Sequence, residues 1–187
     1  CPRNCSPFKV YRASRPIIEI PTTELKVTPY VLSHVNPYES SAFLVRNNNS
    51  YLLYLGDTGA DEVEKSNQLE QLWKAIADKV IAHTLKAIFI EVSFDNATPD
   101  KALYGHLRPR LLMQEMKVLN KLSNGQLPKV PIYITHIKPC ATCEISIKKD
   151  IAQTNKRSAG DYMEFSAKGP LCEQYRLATG GLAARLD

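Results

Sequence analysis

Four polar residues stand where short apolar runs end. His34 follows the run 26–32, Asp57 follows 51–55, Glu91 follows 87–90 and His136 follows 132–134. Each run is too short for a helix and rich in β-branched, aromatic and leucine residues, so each reads as a buried strand. Between two of these runs, Tyr104-Gly105-His106 stands just ahead of a helical pattern. Imidazole nitrogens and a carboxylate are the donors that a borderline metal such as zinc prefers. Asp57 lies in Gly56-Asp57-Thr58-Gly59, where glycine on both sides allows a sharp turn and a close approach. A carboxylate at the mouth of a buried strand is costly unless it is paired or holds a metal. Placed there it can turn one oxygen toward each of two metals. Two metals about 3.5–4 Å apart polarise a phosphoryl oxygen and supply a hydroxide at neutral pH. Singly, each residue has an ordinary alternative: Asp57 a helix cap, Glu91 the partner of a lysine, His34 and His136 hydrogen-bonded loop residues. Jointly they predict one site, because ligands of α/β layers bind beyond the carboxyl ends of the strands.

The elements that would position these residues follow from periodicity. Residues 1–16 read as a loop, and 17–20 and 26–32 as short strands broken by Pro21 and Pro29. Residues 41–46 and 51–55 read as a hairpin joined by Asn47-Asn48-Asn49-Ser50. Asp61 and Glu64 have the spacing of a helix N-cap and its partner. Leu69, Leu72, Trp73, Ile76 and Val80 follow as one apolar helix face reaching to about residue 82, with Trp73 as core and His83 as a structural residue at its end. A second helix from Pro109 turns Leu112, Met116, Leu119 and Leu122 inward and stops at Asn124-Gly125. Residues 141–155 read as a third, with Ile145 and Ile151 inward. Alternating strands and helices predict an α/β fold in one domain, without repeats or linkers.

Composition narrows the classes. The 187 residues, 44% hydrophobic and 23% charged, suit an ordinary globular protein with a sizeable core. No stretch approaches the roughly 18 apolar residues of a membrane span, so no membrane partner is expected. The net charge of +5 is uneven: residues 101–187 hold 14 Lys/Arg against 7 Asp/Glu, residues 1–100 hold 10 against 12. A basic second half can attract an anionic substrate, but no arginine-rich or aromatic-interleaved stretch argues for nucleic acid. Five cysteines fit no closed disulfide framework; Cys140-Ala141-Thr142-Cys143 has redox or zinc spacing but no second pair to complete a four-cysteine site. Asn4-Cys5-Ser6 and Asn48-Asn49-Ser50 fit the glycosylation sequon. The chain begins at Cys1 without an initiator Met, which predicts a piece of a longer protein.

Several of these stretches together resemble the class II cyclic-nucleotide phosphodiesterases of the metallo-β-lactamase superfamily. The resemblance runs through Ser33-His34, Ser40-Ser41-Ala42-Phe43 and Tyr54-Leu55-Gly56-Asp57-Thr58-Gly59-Ala60-Asp61. It continues in Leu85-Lys86-Ala87-Ile88-Phe89-Ile90-Glu91-Val92-Ser93-Phe94, Leu103-Tyr104-Gly105-His106-Leu107 and Tyr133-Ile134-Thr135-His136-Ile137-Lys138-Pro139. It covers about residues 30–140 in unbroken order; the two ends carry little of it.

The resemblance implies a four-layer αββα sandwich of the metallo-β-lactamase type, of which residues 1–187 are the C-terminal half. It casts His34, Asp57 and His136 as metal ligands, Asp57 bridging two zinc ions. It casts His106 as the acid that protonates the leaving oxygen, with Glu91 orienting it. The implied activity is hydrolysis of a 3′,5′-cyclic nucleotide, cAMP with cGMP as a second candidate, to the nucleoside 5′-monophosphate. Alternatives are another phosphodiesterase of the superfamily, such as an RNA-processing nuclease, or a metal-free binding domain. One departure matters: the superfamily's His-x-His-x-Asp-His does not occur among these residues, whose four histidines are 34, 83, 106 and 136. The metal shell is then completed by an upstream half, on the same or a companion chain, and this chain alone is expected to be inactive. Homo-oligomerisation stays open. A periplasmic or secreted setting is favoured over a cytoplasmic one, since exported bacterial relatives would suit an oxidised Cys140–Cys143 pair.

Overall fold

The computed structural model describes residues 17–139 and 142–156. Among these residues six strands form one sheet in sequence order, β1 (Ile18–Glu19), β2 (Leu25–Ser33), β3 (Glu39–Asn47), β4 (Ser50–Leu55), β5 (Leu85–Glu91) and β6 (Ile132–Thr135). The first four pair antiparallel and the last three parallel. Two antiparallel steps separate β2 from β4, so β2, β4, β5 and β6 all run the same way. Their carboxyl ends therefore lie along one edge of the sheet.

Pro29 does not break its strand. β2 runs through it in register with β3, Pro29 opposite Phe43. A proline is tolerated where its missing N–H would face an open edge, and β1 reaches along β2 only as far as Val27. The hairpin between β3 and β4 is tighter than the tetrapeptide suggests. Asn47 pairs with Ser50, and Asn48 takes the left-handed turn conformation at φ 51°.

Four α-helices follow among the described residues: α1 (Asp61–Glu64), α2 (Gln68–Ile81), α3 (Pro109–Leu122) and α4 (Cys143–Lys156). The cap expected of Asp61 lies elsewhere. α1 is a single turn ended by Lys65 at φ 52°, and the Asp61 carboxylate accepts from the N–H groups of Leu69 and Glu70, at 3.1 and 2.8 Å. It thus caps α2, one turn further on. Glu64, expected to complete that cap, turns inward instead.

Leu69, Leu72, Trp73, Ile76 and Val80 of α2 pack on Leu53, Leu55, Ile88 and Ile90 of the sheet, with Leu112, Met116 and Leu119 of α3. Burial of each such side chain contributes about 1.5–3 kcal/mol. Trp73 is fully buried, and its Nε1–H donates to Glu115 Oε2 at 3.0 Å. Burial pushes the Glu115 carboxyl above its ordinary value, more than the Trp73 bond lowers it. In α4 it is Ile147 and Ile151 that face inward; Ile145 is 68% exposed. The i, i+4 pair 147/151 fits one helix face, which 145/151 does not.

The helices pack on the sheet face bearing Leu44, Leu53, Ile88 and Ile132. On the opposite face the register aligns Phe43, Tyr54, Phe89 and Tyr133 across four neighbouring strands, Phe89 stacking on Tyr133 at 4.9 Å. Phe43 and Tyr54 are exposed, and no element covers this face among the described residues. There too, no helix is long and apolar enough to cross a membrane. Cys143 is disulfide-bonded; Cys1, Cys5, Cys140, Cys172, the Asn4 sequon and the tail from 157 lie outside the described residues.

Candidate functional site

The shared strand direction accounts for the convergence. His34 follows the last residue of β2, Asp57 lies two residues past β4, Glu91 ends β5 and His136 follows β6. His106 arrives at the same edge from the segment between β5 and α3. Donor atoms of His34, Asp57 and His106 all lie within 4.8 Å of one another. His136 joins them from the side, its Nδ1 3.5 Å from Asp57 Oδ1 and its ring stacked on that of His106 at 5.3 Å. The His34 and His106 rings meet edge to face at 4.9 Å. All five residues singled out in the sequence are thus at one rim, with His106 as close to His34 and Asp57 as a shared ligand would be.

Two of the imidazoles are oriented by acceptors. His34 Nδ1 lies 2.9 Å from the carbonyl oxygen of Gly105. A carbonyl only accepts, so Nδ1 carries the proton and Nε2 keeps its lone pair for a ligand. His106 Nδ1 lies 2.7 Å from Glu91 Oε1, both side chains being buried. The Thr58 N–H donates to that same oxygen at 3.1 Å. Glu91 is thereby tied to the residue beside Asp57, and His106 is held with Nε2 directed away from the carboxylate.

His136 differs. It is exposed, and its Nε2 lies 3.1 Å from Lys138 Nζ, which can only donate. A neutral ring that accepts there carries its proton on Nδ1, toward Asp57, so a metal at either nitrogen would displace the lysine. His83, by contrast, is exposed beyond α2 and takes no part.

Backbone conformation sets the rim. Val35, Tyr104 and His136 all have positive φ, at 54°, 48° and 53°, which is uncommon for any residue and an outlier for a β-branched one. Gly105, at φ 76°, is pressed so close to the His34 turn that a Cβ there would lie 2.4 Å from Val35 N.

The supports of the site lie outside the five residues singled out in the sequence. Ser93 is fully buried, with its Oγ 2.8 Å from Glu91 Oε2, 2.9 Å from the His136 carbonyl and 3.3 Å from His106 Nδ1. Its place two residues after Glu91, on the same side of an extended chain, was the available signal. The Gly105 carbonyl and the Thr58 amide are main-chain groups that carry no side-chain signal at all. Ser40 Oγ also donates to the Asp57 carbonyl, fixing the turn that presents the carboxylate.

The donor set of imidazole nitrogens and a carboxylate, with the second nitrogen of His34 already bonded to a carbonyl, fits a metal such as zinc.

Comparison with known proteins bears on the family and the fold. Residues 7–156 match the family described as cAMP phosphodiesterases class-II. The chain is 44% identical over 119 residues to a probable 3′,5′-cyclic-nucleotide phosphodiesterase of Yersinia pestis, covering 63% of this chain and 34% of that protein. It is 38% identical over 138 residues to the 3′,5′-cyclic-nucleotide phosphodiesterase of Aliivibrio fischeri, covering 71% and 42%. The chain thus spans less than half the length of these curated relatives. Its fold matches the crystal structure of unliganded yeast PDE1 with a TM-score of 0.68 at 23% identity, over 81% of this chain and 46% of that one. The architecture is of the metallo-β-lactamase type. By its sequence match and its fold, the chain belongs to the class II cAMP phosphodiesterase family.

Proposed function

We propose that the whole protein is a metal-dependent 3′,5′-cyclic-nucleotide phosphodiesterase that converts cAMP, with cGMP as a second candidate, to the nucleoside 5′-monophosphate. The observation that carries this reading is the meeting of His34, Asp57 and His106 donors within 4.8 Å, beside the Glu91–His106 pair at 2.7 Å. His34 through Nε2, Asp57 through its carboxylate and His136 through a ring nitrogen freed of Lys138 would hold two zinc ions together with residues outside this chain. When bound, the ions supply positive charge for the phosphoryl oxygens and an acidified water.

The chain's own residues do the rest. Glu91 accepts the Nδ1 proton of His106 and so aims Nε2, the nitrogen left to pass a proton to the departing 3′ oxygen. Thr58 N–H and Ser93 Oγ hold the two Glu91 oxygens, which keeps the imidazole from swinging. Burial of Glu91 and His106 keeps water from competing for that bond.

The remaining half of the sandwich would cover the Phe43–Tyr54–Phe89–Tyr133 face, in keeping with the greater length of the relatives. Residues 1–187 would then be the C-terminal half of one domain, and a periplasmic or secreted setting remains the preferred one.

The test is turnover of cAMP by the zinc-loaded whole protein, with the product identified. Release of 5′-AMP is expected. His106→Ala should lower turnover by roughly 10²–10⁴, the usual worth of a general acid, with zinc content kept. No hydrolysis of any cyclic nucleotide would overturn the reading. Loss of zinc in His106→Ala would move His106 from acid to ligand.

A further inference from the structure

We infer that Glu64 is the positioning residue for His34, a role that presupposes His34 and Asp57 as the metal ligands proposed above. Glu64 ends α1 and is 7% exposed. Its Oε2 accepts from Ser33 Oγ at 3.0 Å and from the Asn36 N–H at 2.8 Å. Its main-chain carbonyl accepts from Asn36 Nδ2 at 3.2 Å. These donors bracket His34, one residue before it and two after.

The turn so gripped needs an outside restraint. Val35, between His34 and Asn36, sits at φ 54°, a conformation β-branched residues avoid unless the surroundings impose it. A buried carboxylate is itself costly without donors, and both donors to Oε2 come from the His34 turn rather than from α1.

The same turn is tied to the Asp57 segment. Gly59 N–H and Thr58 Oγ–H both donate to the Ser33 carbonyl, at 3.1 and 3.3 Å. Gly59 lies flat against Glu64: a Cβ there would meet Glu64 Cγ at 2.4 Å and Oε1 at 2.6 Å. Glycine at 59 thus has a steric reason beyond turning the chain. Glu64 sets the separation of two ligands that lie 23 positions apart in sequence.

The test uses the whole protein, with cobalt(II) titration and NMR of the histidine ring nitrogens on Glu64→Ala, Glu64→Gln and Ser33→Ala. Glu64→Ala should weaken cobalt binding about 10–100-fold, the usual cost of losing a support behind a ligand, and should release the fixed Nδ1 proton of His34. Glu64→Gln, whose amide oxygen can accept from both donors, should recover most of the affinity. Ser33→Ala, which leaves the Asn36 bond intact, should fall between them. A merely structural role would lower the melting temperature and leave the His34 ring signals in place. Glu64→Ala with wild-type affinity and an unchanged His34 signal would overturn the inference. Should that variant not fold, the same result in Ser33→Ala would do so. Wild-type protein that takes up no cobalt would refute the metal reading instead, and the His34 signals would still decide the role of Glu64.

Discussion

Gly105→Ala offers a graded perturbation of the site, because its main consequences can be worked out before it is made. The new Cβ would lie 2.4 Å from Val35 N, 2.7 Å from His34 Nδ1 and 2.8 Å from Val35 Cγ2. The nearest of these atoms is backbone, so the chain itself must shift. An alanine held at φ 76° costs about 1–2 kcal/mol for the left-handed conformation, and relieving such a clash about 1–3 more. Loss of the bond from His34 to the Gly105 carbonyl adds about 1 kcal/mol, giving about 3–6 kcal/mol in all. Gly125→Ala is the control: its φ is 74°, almost the same, but nothing lies within 4 Å of the added Cβ. That variant should lose only the conformational term, about 1–2 kcal/mol, or roughly 2–8 °C in melting temperature. Gly105→Ala should lose roughly three times as much, and its zinc affinity, read by competition with a chromophoric chelator, should fall about 10–100-fold. Equal melting temperatures for the two variants, with wild-type zinc affinity in Gly105→Ala, would refute the claim that Gly105 holds His34.

Three further outcomes are expected. Asp57→Ala should lower the zinc count per protein, measured by elemental analysis, and a protein that keeps two metals after this change would remove Asp57 from the bridging role. Glu115→Gln should flatten the pH dependence of stability. Because burial raises the folded-state value of Glu115 above its ordinary 4.5, its stabilising contribution is complete below that pH and is lost as the pH rises through the raised value. Parallel stability–pH curves for wild type and Glu115→Gln would contradict this sign. Tyr54→Ala should destabilise the whole protein by at least about 3 kcal/mol if a second sheet covers the aromatic row, whereas a change within about 0.5 kcal/mol would show that face open to water.

The parts of the fold that the sequence made legible were those governed by a single period. Strand ends at 34, 57, 91 and 136, and the α2 face through Trp73, follow from alternation and from 3.6-residue spacing. Pro29 misled because a proline breaks a strand only where its N–H is needed, and which edge of β2 is open is a property of the sheet. Asp61 and Glu64 have cap spacing, yet the chain turns at Lys65. One carboxylate therefore serves the next helix and the other the His34 turn, and only tertiary contacts reveal the split. Ile145 and Ile147 are equally apolar, and the packing partner of α4 decides between them. At the site, side chains announced themselves, but the Gly105 carbonyl and the Thr58 amide could not, since every residue has such groups.

The proposed phosphodiesterase depends above all on metal held by His34, Asp57 and His136 at the rim where β2, β4 and β6 end. Anomalous diffraction at the zinc edge from crystals of the zinc-loaded whole protein tests it most directly. Peaks are expected about 2.0–2.2 Å from His34 Nε2, an Asp57 carboxylate oxygen and a His136 ring nitrogen. Zinc bound elsewhere, or a rim with no anomalous peak, would contradict it.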